Sequence, residues 1–286
     1  TFRKDICYIN NRRPAEVKYI DNLYDDLLRR DFTINAICMD EDGNIIDLLN
    51  GQEDIEKRLI KTIGDARVKF EEDSLRILRA IRFATILDFK LDDEVIDAIK
   101  EYKYLLKGLS YYRKKEELDR IFTSSNSMSG IKLLLELGLD KELELDRLNE
   151  VKNTDDLIAV WSILNVVDKY PFTSNEKELI ENVNKVLNFN NLDPMVLYTY
   201  GLYVNSIAGS IKGMDKKTIT ESYNGLIIHY KRDLNISCGD ILKALNRKPG
   251  KYLKDIYDDL IYEVLYRKVP NVKEELIKYL LNKYGE

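Results

Sequence analysis

Val68-Lys-Phe-Glu-Glu-Asp-Ser-Leu-Arg-Ile-Leu-Arg-Ala-Ile-Arg-Phe-Ala84 carries three arginines, Arg76, Arg79 and Arg82, at three-residue intervals. Glu71, Glu72 and Asp73 lead in, followed by Ser74. Carboxylates and a hydroxyl suit a helix start, because they satisfy and neutralise the free N–H groups there. In a single helix over 68–86, each three-residue step falls about 60° short of a full turn. The arginines then sweep a stripe roughly 120° wide. Ile77, Leu78, Ala80, Ile81 and Ala84 fall mostly on the other side and form the expected core face. Asp73 and Arg76 are within reach of each other at i, i+3. A carboxylate beside a guanidinium sets acceptors next to donors. That pairing can read the edge of a nucleobase while the remaining arginines hold phosphates. Spacing alone equally describes a salt-bridged, solvated surface helix, and favours it.

Around this stretch lie 286 residues, enough for two or more modules with cores of their own. Apolar residues make up 44% and charged ones 33%, which suits a globular chain, and sparse glycine and proline favour helix. No run approaches a membrane span and no signal peptide is visible, so a cytoplasmic location without membrane contact is expected. Cys7, Cys38 and Cys238 are odd in number and far apart. They suit buried thiols in a reducing cytosol better than disulfides or a metal site. A net charge of -5 argues against indiscriminate coating of nucleic acid but leaves room for local basic tracks.

Residues 1–66 read as mixed α/β. Strands are expected at 1–9 and 15–20 around a polar loop at 10–14, and a short helix at 21–30. Residues 32–39 alternate like a strand and pair, across a turn at 40–44, with 45–49. Gln52–Leu59 reads as helix. From Asp65 onward the signal is helical, near 68–86, 92–106, 111–124, 127–138, 154–169, 174–188, 192–210, 214–230, 238–246, 250–267 and 271–284. The chain is thus mainly α, a small α/β part followed by an elongated helical region.

Arg29-Arg-Asp-Phe-Thr-Ile-Asn-Ala36 is the second informative stretch. Arginine suits a triphosphate, and Asn or Asp a ribose hydroxyl, although a capped helix end has the same composition. It is followed by Asp47-Leu-Leu-Asn-Gly-Gln-Glu-Asp54, then Arg58-Leu-Ile-Lys-Thr-Ile-Gly-Asp65, then the arginine stretch. This succession, continuous over about residues 1–125, resembles the class II (bacterial-type) CCA-adding tRNA nucleotidyltransferases and their relatives, the bacterial poly(A) polymerases. Ser110-Tyr-Tyr-Arg-Lys-Lys-Glu-Glu-Leu118 is similar to a degenerate copy of the family's next helical motif: Arg113, Glu117 and Leu118 match, while Tyr112 and Lys114 do not. Ile236–Leu242 and Arg247–Gly250 resemble the tail of the CCA-adding enzymes.

The resemblance implies the C-terminal part of a polymerase-β-like head over 1–66, a helical neck over 67–125 that selects nucleotides and binds RNA, and a tRNA-binding body and tail over 126–286. Arg30, Asp73, Arg76, Arg79 and Arg82 inherit nucleotide contacts, with Asp73 and Arg76 as a protein template for CTP or ATP. Asp31, Asn35, Glu72, Arg113 and Glu117 support them. Asp47 and the Asn50-Gly51 pair match a hinge. The family has two glycines there, and Asn50 can take the positive φ that glycine permits. Partners implied are tRNA, CTP and ATP.

The family also uses an Asp-x-Asp pair that holds magnesium and a Gly-Gly-x-x-Arg-Asp loop. Both would lie upstream of Thr1, so no catalytic or metal-binding residue is expected within this chain. Asp40-Glu-Asp42 reads as a turn instead. Lys243, Arg247, Lys248 and Lys251, with Lys254, Tyr252 and Tyr257, are candidate RNA contacts, as are Arg12, Arg13, Arg113, Lys114 and Lys115. His229 and Trp161 read as packed side chains. The expected function is template-independent addition or repair of the tRNA 3′-terminal CCA. The alternatives are a poly(A) polymerase and a non-catalytic RNA-binding remnant.

Overall fold

The computed structural model describes the backbone of residues 2–9 and 13–17 and the whole of residues 18–152, 154 and 156–285. The expected loop at 10–14, the Arg12 and Arg13 contacts and the Cys7 thiol lie outside the described side chains. The chain divides into two compact units, Thr1–Lys177 and Glu178–Glu286.

In the first unit, β1 (Phe2–Ile9) and β2 (Arg13–Ile20) form an antiparallel hairpin with Phe2 opposite Ile20. Helix α1 (Leu23–Leu28) starts where Asn22 accepts the Tyr24 N–H on its side chain. The expected strand over 32–39 is realised only at β3 (Cys38–Met39), which pairs with β4 (Ile45–Ile46). Its first half is a single 3-10 turn, Thr33–Asn35, because Asp31 takes the Phe32 N–H and the Asn35 amide on one oxygen and curls the chain. Helix α2 (Gly51–Glu56) leads to β5 (Leu59–Ile60), which pairs in parallel with β6 (Lys90–Leu91), a contact that sequence alternation did not reveal.

The expected helix over 68–86 is two helices, α3 (Ala66–Glu72) and α4 (Leu75–Leu87). Asp73 lies between them in an extended conformation, φ -145 and ψ 104, and its carboxylate accepts the Leu75 N–H. A short acid at that position ends one helix and opens the next. Ile77, Leu78, Ala80, Ile81 and Ala84 are buried, as the periodicity requires.

Helices α5 (Asp93–Tyr102), α6 (Tyr111–Phe122), α7 (Ser127–Glu136), the one-turn α8 (Leu139–Glu142) and α9 (Leu157–Leu164) complete this unit. Helix α4 packs on α6 and α7. Gly130 lets α7 approach, since a Cβ there would lie 2.5 Å from the Thr85 hydroxyl and 2.6 Å from Ile121. Trp161 is in the core as expected, ringed by Phe122, Tyr170 and Phe172, and its Nε1 donates to Asp119.

Helix α10 (Ser174–Leu187) leads into the second unit, which contains α11 (Pro194–Ile211), α12 (Lys216–Asn224), α13 (Cys238–Leu245), α14 (Tyr252–Leu265) and α15 (Lys273–Tyr284). Its core gathers Ile228, Ile241, Leu260, Val264, Leu276 and Leu280. Cys238 is exposed rather than buried, because it opens α13 at the surface, and Cys38 is half-buried. No helix among the described residues is long and apolar enough to cross a membrane.

Candidate nucleotide-binding site

The break at Asp73 brings the two informative stretches together. Arg76, held inward at the start of α4, donates from Nη2 to the Arg29 carbonyl at 3.0 Å. Its Nη1 donates to the Lys69 carbonyl at 3.0 Å and to Glu72. One turn on, the Arg79 Nε donates to Asp31 at 2.6 Å. The turn carrying Arg29, Arg30 and Asp31 is therefore locked to the arginine helix by charge-assisted bonds at both ends.

These contacts overturn the solvated-helix reading. Arg76 is 7% exposed and Arg82 4%. Arg82 lies 2.7 Å from Glu117 on α6, which is itself buried. Burial holds the Arg82 guanidinium below its ordinary value and pushes the Glu117 carboxyl up, against the pull of Arg82. A helical stripe of arginines becomes internal here because each side chain meets a partner supplied by another stretch. Spacing within one helix carries no trace of that.

Asp73 faces Arg113 on α6, at 3.1 Å. Arg113 has a further buried nitrogen, Nη1, with no hydrogen-bond partner among the described residues. Arg30 donates to the Asn35 carbonyl at 3.0 Å and to Asp26 at 3.3 Å, while its Nε is buried without a partner among the described residues. Unpaired buried donors of this kind are costly unless a ligand satisfies them. The expected nucleotide-contact residues of the first unit thus fall into linked groups: Arg30, Asp31, Asn35, Glu72, Arg76 and Arg79 join through Asp26 and Arg29, Asp73 pairs with Arg113, and Arg82 pairs with Glu117.

Two contributors had no sequence signal of their own. Asp26 is 3% exposed and anchors both Arg29 and Arg30. Lys69 is 6% exposed, with Nζ 2.6 Å from the Leu28 carbonyl, and burial holds its ammonium below the ordinary value. An acid three and four residues before a basic pair was the available hint for Asp26. Lys114, expected as a surface contact, is instead 2% exposed against the Tyr111 ring. Lys115 is 9% exposed and pairs with Asp119.

Asn50 has φ 58 and ψ 34. Gly51 is pressed on the Thr33 carbonyl, where a Cβ would lie 2.4 Å from its oxygen. The Asp47 carboxylate accepts the Gly51 and Gln52 N–H groups at 2.9 and 2.8 Å. Burial works against its charge, but these backbone donors hold the carboxyl below its usual range.

Among the described residues, no group of three or more His, Cys, Asp or Glu is placed to hold a metal. Asp40 spends its oxygens on the turn, accepting the Asp42 and Asn44 N–H groups and the Asn44 amide.

In the second unit, Lys243, Lys248 and Lys251 are exposed near the start of α14. Arg247 is half-buried and donates to the Tyr284 carbonyl at 3.1 Å, so it secures the end of α15. His229 packs edge-on to Tyr223 with Nε2 3.0 Å from the Tyr223 carbonyl, a packed histidine as expected.

The chain matches the poly A polymerase head domain over residues 1–61, the probable RNA and SrmB-binding site of polymerase A over 88–147, and tRNA nucleotidyltransferase domain 2 over 161–280. It is 31% identical to the CCA-adding enzyme of Staphylococcus haemolyticus, across 98% of this chain and 78% of that protein. The chain belongs to the CCA-adding enzyme family. It is also 30% identical to the enzyme of Bacillus cytotoxicus, across 96% of this chain and 77% of that one. The fold is that of the Bacillus stearothermophilus CCA-adding enzyme solved in complex with CTP, with a TM-score of 0.83 at 24% identity over 99% of this chain and 78% of that one. The Thermotoga maritima CCA-adding enzyme complexed with tRNA superimposes with a TM-score of 0.68 at 21% identity, over 91% and 73%. The family is one of nucleotidyltransferases, with a polymerase-β-like head and a helical body.

Proposed function

We propose that this chain acts in adding or repairing the 3′-terminal CCA of tRNA from CTP and ATP, without a nucleic-acid template. Its first unit selects the nucleotide. The observation that carries the reading is the lock between the two motifs, Arg76 on the Arg29 carbonyl and Arg79 on Asp31. Cytosine and adenine share an amino donor beside a ring-nitrogen acceptor, whereas guanine and uracil present a carbonyl beside an N–H. A carboxylate next to a guanidinium complements the first pair and opposes the second. Asp73 and Arg76 are assigned these groups, although the Asp73 carboxylate pairs with Arg113 rather than with Arg76; Arg30 and Arg79 add positive charge for the triphosphate, while Arg82, compensated by Glu117, holds α4 to α6. Binding energy then turns into selectivity because the side chains are fixed before the nucleotide arrives.

On this reading residues 1–66 are the C-terminal part of the head, 67–125 the selecting neck, and 126–286 the tRNA-binding body and tail, working in the cytoplasm. Magnesium, when bound, supplies charge stabilisation at the triphosphate. The role proposed for the residues of this chain is selection and binding.

Asp73→Ala or Arg76→Ala in the complete enzyme should lower discrimination of CTP and ATP over UTP and GTP by about ten- to a hundredfold. Affinity for tRNA should hardly change. Unchanged selectivity in steady-state incorporation would sink the assignment. The match to a poly A polymerase head favours a second reading, polymerisation of ATP alone. A tRNA lacking CCA, given each nucleotide singly, separates the two: a long A tract indicates the polymerase. Binding of tRNA with no affinity for CTP or ATP would indicate an RNA-binding remnant.

A further inference from the structure

We propose that the second unit carries a phosphate-binding pocket built from Lys231, Arg232 and Lys273 around Tyr257, separate from the Lys243–Lys251 turn. The cleft has a volume of about 730 Å³. Its choice of phosphate source rests on the proposed function, whereas its anion chemistry stands on the geometry.

Two cations of this cleft, Lys231 and Arg232, are held by aromatic faces. The Lys231 Nζ sits 3.5 Å from the centre of the Tyr257 ring, and the Arg232 guanidinium 4.7 Å from that of Tyr230. An aromatic face orients a cation and leaves it its full charge. Neither Lys231 nor Arg232 forms an ion pair among the described residues. The pocket's one carboxylate, Asp240, is already spent. It accepts the Lys273 ammonium at 2.6 Å and the Ser237 N–H and hydroxyl at 3.0 and 2.6 Å. Lys273 and Asp240 compensate each other, which leaves Lys231 and Arg232 as the uncompensated cations facing the cleft.

The wall is fixed before any ligand arrives. Asn271 donates to the Asp233 carbonyl at 2.8 Å and receives the Asn235 N–H and amide at 2.9 and 2.6 Å. Asp233 in turn accepts the His229 and Tyr230 N–H groups. Leu234 and Ile236, 5% and 7% exposed, give the wall an apolar backing that strengthens electrostatic contacts made over it. The start of α13 adds the positive end of a helix dipole. A tetrahedral phosphate oxyanion is what this combination accommodates, as a phosphodiester of an RNA strand or as the phosphate tail of a free nucleotide. The overall charge of -5 makes a concentrated cationic cleft all the more selective in where an anion binds.

The test uses the full chain with Arg232→Gln and with Lys231→Gln/Arg232→Gln. Binding of a tRNA lacking CCA is measured against salt concentration, and binding of inorganic phosphate and of CTP by calorimetry. The single variant guards against loss of the Lys231–Tyr257 packing, and circular dichroism checks folding. The expected result is tRNA affinity reduced about tenfold, with a salt slope shallower by about one for the single and two for the double variant. Unchanged tRNA affinity with lost binding of phosphate or CTP supports the pocket and assigns it to a free nucleotide. Unchanged binding of all three overturns it. The proposed function fails separately: an Asp73→Ala enzyme with intact nucleotide choice breaks that reading, while a salt slope that still answers to Arg232 leaves the pocket standing.

Discussion

Arg82 meets Glu117 at 2.7 Å with 5% and 6% of the two side chains exposed, whereas Lys231 rests on a tyrosine ring and forms no ion pair among the described residues. Cations gather in both regions, under opposite constraints. In the first unit Arg76, Arg79 and Arg82 are buried or half-buried and tied to an acid or carbonyl from another stretch, so their positions are fixed and much of their charge is compensated. In the second unit Lys231 and Arg232 keep their charge and are held by aromatic faces. Burial fixes a geometry that can tell one base from another. Exposure keeps charge available to any phosphate, at an affinity that falls with salt.

The comparison breaks first at its most buried pair. Arg82→Ala leaves Glu117 in the core without a partner and should destabilise the protein by about 3–5 kcal/mol, read from denaturant unfolding. Replacing both by Met and Leu should recover most of that loss, since the desolvation cost goes too. Near-zero loss for the single variant would mean the pair is solvated and the contrast false. The pH sign follows from Glu117, whose carboxyl is raised by burial from 4.5. A raised acid contributes stability fully below about 4.5 and loses it as pH rises through the folded value. The stability of Glu117→Gln relative to the native protein should therefore climb as pH increases across that window.

Arg79 is the intermediate case, 32% exposed against an Asp31 that is 8% exposed. Arg79→Ala should cost about 1–2 kcal/mol in unfolding free energy. It should also loosen the turn carrying Arg30, which nucleotide affinity would report. A loss as large as that of Arg82→Ala would mean partner geometry, rather than burial, sets the scale.

Much of this contrast was written in the sequence, though not where it was sought. The core face of α4 and the left-handed Asn50 followed from periodicity and from asparagine's tolerance of positive φ. The break at Asp73 did not, because an acid before a serine suits a helix start and an interruption alike. Nor could spacing show that Arg76 and Arg82 turn inward, since Arg29 lies 47 residues and Glu117 35 residues away in the chain. The order of the motifs along the chain, more than the chemistry of any one, brought the site together. The pocket of the second unit was missed for the same reason: Lys273 joins Lys231 and Arg232 only after α14 has folded back.

The least buried pair closes the series. Lys273 and Asp240 meet at 2.6 Å with 50% and 25% of their side chains exposed. Water and salt screen such a pair, so Lys273→Gln should leave the melting temperature nearly unchanged in moderate salt. Asp240 differs from Lys273 in having a second task, capping α13 together with Ser237. Lys273 and Ser237 hold its carboxyl far below the usual 3.8. A depressed acid contributes stability above its unfolded value and loses it only as pH falls through the folded one. The native protein should therefore keep the benefit of Asp240 at pH 4, and the deficit of Asp240→Asn should narrow only under stronger acid. Equal losses for Lys273→Gln and Asp240→Asn at neutral pH would place the energy in the ion pair. A loss confined to Asp240→Asn places it in the cap and leaves the Lys273 charge to the cleft.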